Sequence, residues 1–109
     1  VVGSWRLVSY EDRPDSGTSL FPYGTIPKGL LIYDVAGRMS IQIMKQPHPK
    51  VASGNETVTP QEKQSLFDAS IACFGTYSVD AVRGVVVHHV EGDLWDIDIG
   101  KDEERRFEL

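Results

Sequence analysis

Two adjacent histidines, His88 and His89, are the side chains best suited to proton chemistry near neutral pH, or to orienting the polar end of a ligand. They sit in a valine-rich run that reads as a strand, so their imidazoles point to opposite faces and cannot share one metal ion. One of them faces inward: His89 with Val85 and Val87, or His88 with Val86 and Val90. Tyr33 and Tyr77 also fall in strand-like runs, and their phenols need partners if buried. His48, between two prolines, reads as solvated. Cys73 is the single cysteine, so no intramolecular disulfide can form. With no cation beside it in sequence, it reads as a small buried hydrophobe. A lone thiol also points to a reducing, cytoplasmic setting.

Other chemistries leave no trace. There is no phosphate-cradling glycine loop, no Gly-x-Ser-x-Gly elbow and no zinc-spaced Cys/His set. Asp96, Asp98, Asp102, Glu103 and Glu104 are acidic, but their spacing matches no calcium loop and reads as a wet face. No metal or cofactor is therefore expected. A net charge of −5 disfavours a nucleic-acid partner, which needs a basic surface. No apolar run approaches the ~20 residues of a membrane span.

The elements that must position these groups are mostly strands. The 109 residues carry 40% apolar content without a composition break, which predicts one domain over residues 1–109. A first strand is expected from Gly3 to Glu11, followed by a loop through Pro14, Asp15, Ser16 and Gly17. A second runs from Leu30 to Asp34. A third alternates strictly, with Met39, Ile41 and Ile43 to one side and Arg38, Ser40 and Gln42 to the other. Asp34 to Gly37 turns between them.

Gln46 to Thr59, with Pro47, Pro49, Ser53, Gly54 and Asn55, reads as a long loop. Thr59-Pro60-Gln61-Glu62 then starts a helix ending near Ala69 or Ser70, with Leu66 and Phe67 inward. Strands return at Phe74–Asp80 and Gly84–Glu91, with a weaker one over Leu94–Ile99 and a last one near Glu104. About seven short strands and one helix predict an all-β fold, an antiparallel up-and-down barrel. The run Arg105 to Leu109 reads as a strand just begun, which predicts that further strands follow in the natural domain.

Several blocks stand out along the chain: Phe21-Pro22-Tyr23-Gly24, Pro27-x-Gly29-x-x-Ile32-Tyr33 and Gly37-Arg38-Met39-Ser40-Ile41-Gln42-Ile43. Ala72-x-Phe74-Gly75-Thr76-Tyr77, His88-His89-Val90-Glu91-Gly92 and Arg105-Arg106-Phe107-Glu108-Leu109 follow. In content and order these blocks resemble the bacterial and fungal lipocalin-like domain family. Gly92-Asp93-Leu94-Trp95 departs from the pattern, where such sequences tend to carry serine and a proline-containing turn. The resemblance implies a calycin-type small β-barrel. It also implies a barrel-closing pair, Trp5 on the first strand under Arg105 on a late one, a guanidinium over an indole face.

Such a barrel is expected to bind a small apolar molecule on a wall of Trp5, Tyr33, Met39, Ile41, Ile43, Tyr77, Val87, His89 and Phe107. Two alternatives stand beside this one. An imidazole and one or two phenols in a dry cup suit a cyclase or isomerase of a secondary-metabolite pathway. A barrel filled by its own side chains would act through its surface, as a homo-oligomer or with a partner.

Overall fold

In a computed structural model that describes residues 1–14, 17–52 and 57–108, the chain forms six antiparallel strands and one short α-helix. The strands are β1 (Gly3–Arg6), β2 (Lys28–Tyr33), β3 (Arg38–Met44), β4 (Ser70–Asp80), β5 (Val85–Asp93) and β6 (Asp102–Arg106). The helix, α1, spans Pro60–Asp68. The strands lie in one sheet in the order β1-β2-β3-β4-β5-β6, an up-and-down meander that is not closed. The loop positions Asp15, Ser16, Ser53, Gly54 and Asn55, and the terminal Leu109, lie outside the described residues.

Six strands rather than seven follow from the segment Leu94–Ile99. It has alternating apolar residues, yet Asp96–Asp98 forms a 3-10 turn. Asp93 folds the chain just ahead of that turn, its carboxylate accepting from the Trp95 N–H at 3.0 Å. Leu94, Trp95, Ile97 and Ile99 all stay exposed, so their alternation has no dry face to serve. β1 is also shorter than its pattern predicts, ending at Arg6.

The chain divides into two compact units. The first comprises Val1–Arg6, Leu30–Gln42 and Ile71–Leu109. Its core is Tyr33, Met39 and Val86, with Val1, Leu31, Ile41, Cys73, Tyr77 and Phe107 packed against them. The β2–β3 turn is set by Asp34, whose carboxylate accepts from the Arg38 N–H at 2.8 Å. Gly37 then takes a φ of +90°, a value costly for any side chain. Between β4 and β5 the register shifts at Phe74/Gly75, a bulge. There the backbones approach so closely that a Cβ on Gly75 would lie 2.0 Å from the His89 carbonyl oxygen.

The second unit comprises Leu7–Gly29 and Ile43–Ser70. Its helix begins as the sequence predicts. Thr59 Oγ1 accepts from the Glu62 N–H at 3.1 Å, and Glu62 accepts in return from the Thr59 N–H at 3.0 Å. Leu66 is half-buried, but Phe67 is exposed, contrary to its expected inward role. The short helix has no fully buried residue, so it presents only a narrow apolar edge. Ala69, just beyond it, is the buried anchor, and its carbonyl accepts from the Lys45 N–H at 2.7 Å. Tyr10 and Tyr23 pack edge to face with centroids 5.1 Å apart. No helix among the described residues is long and apolar enough to cross a membrane.

Candidate functional site

The inner face of the first unit is built from alternate residues of its strands. Cross-strand pairing puts Tyr33 opposite Gly3, and Leu31 opposite Trp5. It puts Tyr77 opposite His88, and Val79 opposite Val86. On the far side, Val86 faces Arg105 and His88 faces Glu103. Paired residues share a face, so this surface carries an apolar wall and a small set of polar groups.

Two hydrogen bonds show how strongly the face curves. Tyr33 on β2 bonds through its hydroxyl to Nε2 of His88 on β5, although β3 and β4 lie between them in the sheet. Their ring centroids are 5.5 Å apart. In a flat sheet, three strand spacings would separate them by roughly 14 Å. Tyr77 on β4 likewise reaches past β3 to donate to the Asp34 carbonyl at 2.6 Å. The face is therefore concave, and side chains from non-adjacent strands meet across it.

Burial sets the protonation of this cluster. His88 is almost wholly buried, and its pKa falls to about 4 through burial, then the nearby charges of Arg105 and His89. Tyr33 is pushed up to about 12, chiefly by burial, with Arg105 acting in the opposite sense. Cys73 rises to about 11, again mainly by burial, with Asp93 and Glu103 adding to it. At neutral pH the thiol, the phenol and the imidazole are all uncharged. Tyr33 is then the donor and Nε2 the acceptor, which places the imidazole proton on Nδ1.

Most of the residues predicted from sequence come together here. Tyr33 and Met39 are buried in the core, with Ile41, Tyr77 and Phe107 packed against them. Ile43 is buried too, but it belongs to the second unit. Val87 and His89 do not belong to the inner face. Val87 pairs with Ser78 and Glu104, and His89 with Thr76 and Asp102, all on the opposite face. The inward histidine is His88, with Val86 and Val90 beside it, all three buried. Three consecutive valines, one of which (Val85) is buried on the opposite face, made the alternation around this pair unreadable.

Trp5 and Arg105 each have a hydrogen-bond partner near in sequence. The Trp5 indole donates to the Val1 carbonyl at 2.8 Å and stays 42% exposed. Arg105 turns to Glu103, its neighbour on the same face, at 2.6 Å, and donates to the Glu104 carbonyl at 3.1 Å. Sequence reasoning missed Glu103 and Cys73 as inner-face residues. Cys73 was legible only as a buried thiol, and Glu103 was hidden inside an acidic run. Among the described residues no group of His, Cys, Asp and Glu is placed to hold a metal ion.

The match to known families agrees with this architecture. A family model described as a lipocalin-like domain matches residues 2–109. Comparisons with curated proteins and with solved structures return no match. A curved antiparallel meander with its core on the concave face, matched along nearly its whole length, places the chain in the lipocalin-like domain family.

Proposed function

We propose that this chain binds a small, largely apolar molecule against the concave face of its first unit. The observation that carries the reading is the buried Tyr33–His88 pair set among Met39, Ile41, Tyr77 and Phe107. An apolar wall with one or two fixed polar groups is the usual make-up of a small-molecule site. The wall supplies affinity by removing apolar surface from water. The polar pair selects a ligand with one hydrogen-bonding group, because any group that displaces part of it must satisfy what it breaks.

Binding is favoured over catalysis by the state of the same pair. The imidazole is a weak base at about 4 and the phenol a weak acid at about 12. A general acid or base works best with a pKa near the operating pH, and both groups are displaced away from it. The pair is built to hold its protons.

Native mass spectrometry of the full chain, before and after denaturation, tests the reading together with titration of an apolar fluorescent probe. A stoichiometric mass released on denaturation, or a saturable site weakened by Ile41→Trp and Tyr33→Phe, is the expected result. A bare chain with no saturable probe site counts against it, as does probe binding unchanged in both variants.

A further inference from the structure

A second constellation lies on the opposite face of the same unit, away from Tyr33 and His88. His89 Nδ1 is 2.7 Å from Asp102 Oδ1, and His89 Nε2 is 3.3 Å from Ser78 Oγ. A carboxylate only accepts, so Nδ1 carries a proton, and in the neutral imidazole Nε2 then offers its lone pair to the serine hydroxyl. That is the arrangement by which a serine becomes a nucleophile, with a base against its hydroxyl and a third group fixing the base's tautomer. It is recognised by geometry and not by chain order.

The sheet register produces it. Thr76, His89 and Asp102 form one cross-strand row over β4, β5 and β6, and Ser78, Val87 and Glu104 form the next row on the same face. Ser78 therefore sits diagonal to His89, within reach of its outer nitrogen. The His89 and Asp102 side chains are 40% and 64% exposed, so a dissolved substrate can approach. One row further along, Arg83, Val85, Glu104 and Arg106 line an open groove of about 370 Å³.

We propose that Ser78, His89 and Asp102 form an acyl-transfer site that hydrolyses small activated carboxylic esters. Ser78 Oγ bonds to the ester carbonyl carbon as its proton passes to His89 Nε2. The carbon–oxygen bond to the leaving group breaks, and that oxygen takes the proton from Nε2. Water then attacks the acyl-serine, giving its proton to Nε2, which returns it to Ser78 Oγ as the acid departs. Asp102 is a positioning residue that holds the imidazole and offsets the charge it gains. In most acyl transfers the charge on the ester oxygen is stabilised by an oxyanion hole, and none of these three side chains supplies one. The substrate class is accordingly limited to esters with good leaving groups, whose barrier is already low.

The test uses the full chain with p-nitrophenyl acetate and, separately, a fluorophosphonate, read by intact mass and peptide mapping. The adduct is expected on Ser78, and Ser78→Ala removes it. His89→Gln slows labelling by roughly 10²-fold, and added free imidazole restores part of the rate, which a structural role would not allow. Asp102→Asn also slows it, and Asp102→Glu recovers part of the loss. All four substitutions are at the surface, and unchanged thermal unfolding verifies the fold of each. The proposal is overturned if Ser78 carries no adduct, or if it is labelled at the same rate in His89→Gln.

Discussion

Tyr33 and His88, 55 positions apart, share a hydrogen bond that spans two intervening strands inside the concave face. The bond ties β2 to β5 directly, so it reports on the curvature of the sheet as well as on the chemistry of its lining. Burial pushes the imidazole down and the phenol up, so both are uncharged at neutral pH, and each satisfies the other. No buried side-chain nitrogen or oxygen among the described residues lacks a partner.

The low pKa of His88 makes stability depend on acid. An unfolded histidine titrates near 6.5, whereas His88 in the folded chain titrates at about 4. Between those values the unfolded chain binds a proton that the folded chain refuses, so stability falls as pH drops through this window. Above about pH 6.5 the contribution is complete, and below about 4 the loss levels off. Urea unfolding from pH 7.5 to 4 is expected to show that acid limb. His88→Gln should flatten it relative to the parent, while lowering stability at every pH.

Removing the phenol leaves the imidazole unanswered. Tyr33→Phe keeps the ring contact with Tyr77, whose centroid lies 4.7 Å away, but deletes the donor to Nε2. A cost of about 1–3 kcal/mol is expected in denaturant unfolding, set by a buried acceptor without a partner. A variant as stable as the parent would mean that water reaches Nε2 freely.

Gly75 and Gly92 should respond differently to alanine. A Cβ on Gly75 meets backbone, the His89 carbonyl at 2.0 Å, and relief requires β4 and β5 to part. On Gly92 it meets the Phe74 ring at 2.2 Å, and that ring is 56% exposed with room to swing outward. Gly75→Ala is expected to cost about 1–3 kcal/mol and Gly92→Ala clearly less, measured as shifts in the unfolding midpoint. Equal costs would contradict this account.

Thr59→Ala removes the cap of α1 and should destabilise the chain by about 1 kcal/mol. Glu62 carries a further bond, accepting from the Ala52 N–H at 2.8 Å, so Glu62→Ala is expected to lose more than Thr59→Ala. Paired denaturation curves of the two variants decide the order.

The Cys73 thiol, pushed up to about 11 by burial, should react slowly with a disulfide reagent at pH 8 and quickly once the chain is unfolded. The thiolate is the reactive form, and burial both scarcely populates and shields it. Rapid labelling of the folded chain would show that the concave face opens readily.

Local order was legible in the residues themselves. The strict alternation of Arg38 to Ile43 specified one dry side, and Asp34 to Gly37 specified a turn, because both depend on neighbours in sequence. Thr59 to Glu62 announced a capped helix for the same reason. The motif blocks shared with the lipocalin-like family reached the architecture. What lay beyond sequence was every decision made by groups far apart in the chain. Val85, Val86, Val87 and Val90 suit either face, so only pairing with β4 and β6 selected His88 as the inward imidazole and sent His89 to Asp102. Leu94 to Ile99 alternates like a strand, yet it lacks a dry surface to cover and closes into a 3-10 turn. Arg105 pairs with Glu103, two residues away on the same face, a contact that the acidic run did not single out. Periodicity says which residues share a face, but curvature and register determine what that face meets.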